Sequence, residues 1–426
     1  MNSRQLPLFR RDSWLAVLAG TVMGGSASAG DLFQLTGATT DGGPAVTFDE
    51  SSNNLSRFIQ DLVGGTGQFH LLDNRAFQAG LRYGEIQQAL TFNVSGINTW
   101  FAELSANAIE PGLLERQFVA GSREELEQQI EDYLKNEGAD DYARFMAALN
   151  KRSVTGILDG NPNAATARNA TGNYMEYGQR PTETVEELEY EGAAAEEGRL
   201  GISSVADLGT FKSGDLTGQT YSWTPMIPYT VGKARRVRLE LSLPLNYTQL
   251  EGADAFRVGS QLAVAVLAVK RTKEQPWLWQ VTPHAGAVVA GSEDLVAGGL
   301  LASGGVTSYT SYRLNRWEFS MGNHISFHEG MKVTVGDYTF DPELSQQIVK
   351  NGLKIGRSLG QRWYVEGYAL DTEFLQEAFT DRYLTVGLGV GYRAANRRGY
   401  LMLGTYADIG SDYQAAHAQF GTGWKF

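Results

Sequence analysis

The run Arg236-Val237-Arg238-Leu239-Glu240-Leu241-Ser242-Leu243-Pro244-Leu245-Asn246-Tyr247 alternates polar and apolar residues over its full length, and few folds accept so long an alternation. Val237, Leu239, Leu241, Leu243, Leu245 and Tyr247 share one face of an extended strand, and Arg236, Arg238, Glu240, Ser242 and Asn246 share the other. Strands of water-soluble sheets run to about 5 or 6 residues, whereas a tilted strand crossing a bilayer needs about 10. The pattern recurs. Leu384, Val386, Leu388, Val390 and Tyr392 lie opposite Thr385, Gly387, Gly389, Gly391 and Arg393. Trp317, Phe319, Met321, Ile325 and Phe327 lie opposite Arg316, Glu318, Ser320, His324, Ser326 and His328. Trp277, Trp279 and Val281 open another apolar face, and Phe420, Thr422, Trp424 and Phe426 close the last one. Apolar faces ending in aromatic residues fit the interfacial girdles of a membrane barrel.

Connections between these blocks alternate in expected length. Short turns are expected near Gly232-Lys233, Thr272-Glu274, Leu314-Asn315, Leu359-Gln361 and Ala395-Arg397. Longer ones are expected near Ser213-Gln219, Glu251-Asp254, Gly291-Asp294, Glu329-Ser345, Leu370-Asp381 and Ile409-Gln414. Five short and six long connections join twelve strands over residues 201–426, with the short turns and both barrel ends on the periplasmic side. A mean hydropathy of −0.27 is too low for a bundle of membrane helices but not for a barrel, in which every second residue faces away from lipid. The absence of cysteine removes disulfides, thiolate metal sites and cysteine nucleophiles.

An alternating last strand that ends in Phe426, with Phe420 and Trp424 on the same face, resembles the assembly signal of Gram-negative outer-membrane proteins. Residues 201–426 as a whole resemble twelve-stranded autotransporter-type translocator domains and pores. That resemblance implies an outer-membrane location, contact with lipid and delivery by the barrel assembly machinery. The expected fold is an all-β transmembrane barrel of about 12 antiparallel strands, preceded by a small helix-containing α+β domain.

Residues 1–29 read as a cleaved signal peptide, with Arg4, Arg10 and Arg11, an apolar run from Trp14 to Met23, and Ala27-Ser28-Ala29 before the cut. Residues 31–200 hold 27 acidic against 12 basic side chains, and residues 201–426 hold 20 against 21, so the net charge of −12 belongs to the segment ahead of the barrel. No basic stripe is present to bind nucleic acid. Residues 30–180 are expected to form a periplasmic, luminal or passenger domain. Its helices are expected behind the Ser122/Glu125 capping box, over Tyr142 to Leu149 and over Asn54 to Val63, with a strand through Phe77, Ala79, Leu81 and Tyr83. Asp31 to Glu50 and Gly156 to Arg180 read as largely unstructured, with an exposed turn at Asp159-Gly160-Asn161-Pro162.

Within residues 181–200, Thr184 and Glu187 cap an acidic helix through Glu197 that serves as linker or plug. Its Glu186, Glu187 and Glu189 are gate candidates, because strand parity directs Arg236, Arg238, Lys350, Lys354 and Arg393 into the lumen. His324 and Ser326 have the two-residue spacing of the outer-membrane phospholipase dyad, but their parity is that of the lumen and not of the lipid face. No catalytic residue, metal or cofactor is therefore expected, and the chain is not read as an enzyme. The expected function is a translocation or secretion channel for a polypeptide, possible gating falling to helix 184–197. A passive porin for small solutes and an adhesin anchored by the barrel are the alternatives. Oligomeric state has no signature here. The first domain has none of the repeats of a β-solenoid passenger, which favours a resident periplasmic or luminal domain.

Overall fold

The computed structural model describes residues 31–55, 58, 75–95, 99–135, 138–168, 199–231, 236–272, 274–295, 297–335, 338–340, 344–394 and 399–425. The signal peptide, helix 184–197 with Glu186, Glu187 and Glu189, and Phe426 lie outside the described residues.

The first domain is a six-stranded antiparallel sheet of β1 (Phe33–Thr39), β2 (Thr47–Ser52), β3 (Phe77–Tyr83), β4 (Ile86–Ser95), β5 (Trp100–Ser105) and β6 (Arg116–Ala120), in the order β2-β1-β3-β4-β5-β6. Helices α1 (Arg123–Lys135) and α2 (Ala139–Arg152) follow, then the short α3 (Ala165–Arg168). The expected cap forms with one shift: Ser122 Oγ accepts the Glu125 N–H at 3.1 Å, and Glu125 Oε2 reaches past Ser122 to accept the Gly121 N–H at 2.8 Å. The Tyr133 hydroxyl of α1 donates to Asp141 of α2 at 2.6 Å; burial and that carboxylate push its pKa up to about 12. The expected helix from Asn54 is described only at Leu55 and Phe58, both helical and buried. Asp31 to Glu50, expected to be unstructured, instead contributes β1 and most of β2. Phe33, Leu35 and Phe48 point to the core on alternate positions, and the sheet supplies the long-range pairing that short strands cannot advertise locally.

The second domain is a closed antiparallel barrel. Its staves are β7 (Arg199–Ser213), β8 (Leu216–Val231), a broken stave of β9 (Val237–Ser242) and β10 (Leu245–Leu250), β11 (Ala253–Val269), β12 (Trp277–Ser292), β13 (Ala297–Leu314) and β14 (Trp317–Met331). A small hairpin, β15 (Val333–Val335) and β16 (Tyr338–Phe340), precedes β17 (Ser345–Leu359), β18 (Trp363–Phe374), β19 (Arg382–Arg393), β20 (Gly399–Gly410) and β21 (Tyr413–Lys425). β21 pairs with β7 from Tyr413↔Ser213 to Lys425↔Gly201, which closes twelve staves. The break between β9 and β10 falls at Leu243-Pro244, where proline lacks the ladder N–H; both halves still pair with β8 and β11.

Alternation governs burial as the sequence requires. Leu388 is 67% exposed and Leu353 64%, whereas their neighbours Gly387 and Lys354 face inward. With no core outside the wall to receive them, such residues make the outer surface a lipid-facing one. Trp277, Trp317, Trp363 and Trp424 rim one end and Tyr221, Phe256 and Phe327 the other, all exposed.

The two ends differ, though less by length than expected. One end, here the turn end, carries Leu314-Asn315 and Leu359-Gln361 together with Arg199 and Lys425. At the other, the loop end, three connections expected to be long are two-residue turns: Gly214-Asp215, Glu251-Gly252 and Ser411-Asp412. Glu251 and Gly252 both take positive φ, 48° and 92°, which matches the twist of a tight hairpin. The long loop-end connections are residues 332–344 and 375–381.

Candidate functional site: an occupied lumen

The first domain sits on the loop end. The Leu55 N–H donates to the Asp294 carbonyl at 2.7 Å, and the Tyr83 hydroxyl to the Leu295 carbonyl at 3.3 Å. Rim residues Phe211, Leu216, Leu250, Leu295 and Leu344 share one buried apolar cluster with the sheet of the first domain. Exposed ion pairs, Lys332–Asp140 at 3.1 Å and Arg152–Glu377 at 3.0 Å, flank that contact.

From Ser153 the chain turns into the barrel. Residues 153–167 are buried throughout, so the exposed turn expected at Asp159-Gly160-Asn161-Pro162 is not there. The turn chemistry was legible, but it serves an inward fold of the chain. Asn161 Nδ2 donates to the carbonyls of Val154 and Gly156 at 2.9 and 2.8 Å, and Asn161 Oδ1 accepts the Asn163 N–H at 2.8 Å. The Ala165 and Thr166 N–H groups donate to the Ile157 and Leu158 carbonyls at 2.9 and 3.0 Å. The segment thus satisfies part of its own backbone, as occupying a closed space requires.

Wall residues hold the rest. Gln346 Nε2 on β17 donates to Asp159 at 3.4 Å, and burial pushes the Asp159 carboxyl up to about 6. The Thr380 N–H reaches the Gly160 carbonyl at 3.0 Å. Arg257 on β11 donates to the carbonyls of Asn163 and Ile157, and Lys350 Nζ lies 3.4 Å from the Ala167 carbonyl. Arg168 Nη2 lies 2.7 Å from Asp408 Oδ2. Further toward the turn end, Glu318 meets Arg271 at 3.3 Å and Arg313 at 3.2 Å, and Lys354 meets Glu366 at 3.4 Å.

The residues singled out from sequence separate into groups. Lys350 and Lys354 face the lumen; Arg238 is partly buried, 3.9 Å from Glu240; Arg393 stands over the Tyr364 ring at 5.6 Å. Arg236 stands just ahead of β9, where its carbonyl still accepts the Leu267 N–H at 2.7 Å, and it is exposed at the turn end. Phe420 and Trp424 are on the lipid face. Ser326 bonds His328 Nε2 at 2.9 Å and not His324, whose Nδ1 meets Thr307 Oγ1 at 2.8 Å. These side chains are buried on the inner wall. Among the described residues no group of three His, Asp or Glu is placed to hold a metal ion. Sequence reasoning missed Arg168, Arg257, Asp408 and His417. Parity with Phe256 and Val258 could have found Arg257; nothing local marks Arg168.

No protein-family model and no curated protein sequence matches the chain. Among solved structures it is similar to the translocator domain of the autotransporter NalP from Neisseria meningitidis, with TM-score 0.38 and 12% identity, over 56% of this chain and 92% of that one. It is also similar to the β domain of the Bordetella autotransporter BrkA, with TM-score 0.37 and 13% identity, over 54% and 99%. An outer-membrane channel from Pseudomonas putida F1 matches with TM-score 0.39 and 9% identity, over 55% and 97%. By its own geometry the chain is a twelve-stranded transmembrane β-barrel whose preceding segment lies in its lumen.

Proposed function

We propose that this chain is an outer-membrane translocator that presents its own first domain at the outer face and keeps its lumen filled by the connecting segment. One observation carries the reading. The first domain rests on the loop end, residues 153–168 lie in the lumen, and the barrel begins with Arg199 at the opposite, turn end. In outer-membrane barrels short turns and chain ends belong to the periplasm. A domain resting on the other end, whose chain continues into the lumen over residues 153–168, then lies outside the cell. A freely conducting porin fits less well, because residues 153–168 lie in the lumen and are held by side chains of its wall. The reading also reverses the preference for a periplasmic domain that the absence of solenoid repeats suggested.

The test is an epitope inserted between Pro111 and Gly112, an exposed turn where a side chain at Gly112 would meet nothing within 4 Å. Antibody labelling and protease cleavage in intact cells support the proposal. Protection until the outer membrane is permeabilised overturns it.

A further inference from the structure

We propose that Arg168 is a latch joining the lumen segment to the closing seam of the barrel, so that the seam is tightest when the segment is in place. This holds whichever side of the membrane the first domain occupies. The seam between β7 and β21 is the one stave pair that brings together the two ends of the barrel chain. Its ladder must be registered across the longest sequence separation, where loop closure helps least.

One buried side-chain bond crosses that seam near Arg168: His417 Nδ1 on β21 lies 2.9 Å from Asp207 Oδ1 on β7. Gly209 of β7 makes room for the ring, since a Cβ there would lie 2.2 Å from His417 Nδ1. The other ring nitrogen faces the segment. His417 Nε2 lies 3.1 Å from Arg168 Nη2, which also donates to Asp408 Oδ2 at 2.7 Å. Arg168 Nη1 donates to the Tyr406 hydroxyl at 3.0 Å, and the Tyr406 ring stacks on His417 at 4.4 Å. Thr385 Oγ1 on β19 donates to the remaining Asp408 oxygen at 2.6 Å. A single network therefore runs from β19 through β20, Arg168 and β21 to β7.

The chemistry gives this network a direction. A guanidinium only donates, so His417 Nε2 must accept from Arg168. The single ring proton of neutral His417 is then on Nδ1, the nitrogen that must donate to Asp207 across the seam. Arg168 thus selects the tautomer that makes the cross-seam bond. Without Arg168, Asp408 Oδ2, 3.6 Å from Nε2, becomes the nearest acceptor for an Nε2–H. A proton placed there leaves Nδ1 without one for Asp207. Arg168 is a positioning residue that acts through His417.

Two measurements on the full chain in detergent micelles test this. In the wild type, imidazole ¹⁵N shifts of His417, assigned by their loss in H417Q, are expected to report a neutral ring protonated at Nδ1. A proton on Nε2 overturns the proposal without any variant at Arg168. In R168M the resonances are expected to move toward the Nε2–H or doubly protonated form, with return toward wild type in R168K; an unchanged tautomer in R168M overturns it. The second measurement is a cycle of R168M, D207N and the double variant, read as the temperature at which the barrel unfolds in dodecyl sulfate. Each single change is expected to lower it by about 3–8 °C, and the double by no more than the larger single. Additivity of R168M with D207N overturns the latch.

Discussion

Glu85, at the tip of the β3–β4 hairpin, accepts the backbone N–H of Val154 at 3.0 Å, so a residue of the first domain caps the chain where it enters the barrel. Ser153 Oγ approaches the same carboxyl at 3.5 Å. The hairpin and the lumen segment are therefore one unit, and what loosens one loosens the other. Glu85→Ala leaves a buried N–H without its acceptor, at a cost of about 1–3 kcal/mol. Amide exchange at Val154 should accelerate by roughly 5- to 150-fold, while Glu85→Gln, which keeps an acceptor oxygen, should lie near wild type. Equal protection in Glu85→Ala would show that the cap contributes nothing.

The same junction should hold more firmly in acid. Burial raises the carboxyls of both Glu85 and Asp159, the latter to about 6. A carboxyl whose folded pKa is raised contributes stability that is fully present below its unfolded value, near 3.8 for Asp159, and lost as pH rises through about 6. Proteolysis within residues 153–168 should thus be slower at pH 5 than at pH 7.5. Asp159→Asn should flatten much of that difference, with Glu85 accounting for the remainder. Faster cleavage at the lower pH, after correction for protease activity, contradicts the sign.

The grip of the segment can be read directly, because the chain has no cysteine and Ala164→Cys would be a unique reporter. Ala164 is fully buried in the lumen segment, and Leu158 of the same segment packs at 1% exposure in the apolar cluster that joins segment, rim and first domain. Truncating a leucine in such a site costs about 2–5 kcal/mol. Maleimide labelling of Ala164→Cys is expected to rise by roughly 30-fold or more when Leu158→Ala is added. An unchanged rate means that the segment is held elsewhere.

How much of this was legible in the sequence follows from how local each signal is. Strand alternation is a property of adjacent residues, so Leu384 to Arg393 or Trp317 to His328 announced both the barrel and the direction of each side chain. Lys350 and Lys354 were found by the same rule. Arg236, of the same parity, stands exposed at the turn end, because parity sets the face of a side chain and not its depth in the barrel. That Gly156 to Arg180 reads as largely unstructured, with an exposed turn at residues 159–162, has a deeper reason. The burial of residues 153–167 is imposed by a barrel that begins dozens of residues later, and Asn161-Pro162 looks the same whether it turns in water or inside a lumen. Arg168 gained its role only through Asp408 and His417, some 240 residues away. No local pattern encodes such a meeting.

The glycines of the last staves make a final point that is open to test. Gly387, Gly389 and Gly391 read as positions that leave room inside, and the structure shows what takes up the room at Gly391. The Tyr364 ring of the neighbouring stave lies against it, so closely that a Cβ there would be 1.9 Å from the ring. Arg393 in turn stands 5.6 Å above that ring, so one missing side chain seats both an aromatic and a cation on the inner wall. Gly391→Ala should force Tyr364 off its site and cost about 1–3 kcal/mol, the usual range for overpacking. The barrel should then unfold in dodecyl sulfate at a temperature lower by several degrees. Tyr364→Ala in the same chain should recover part of the loss, because the clash disappears with the ring even though its packing does too. A Gly391→Ala barrel as stable as wild type would mean that the ring has another rotamer of equal energy, and the glycine would then be there for strand curvature alone.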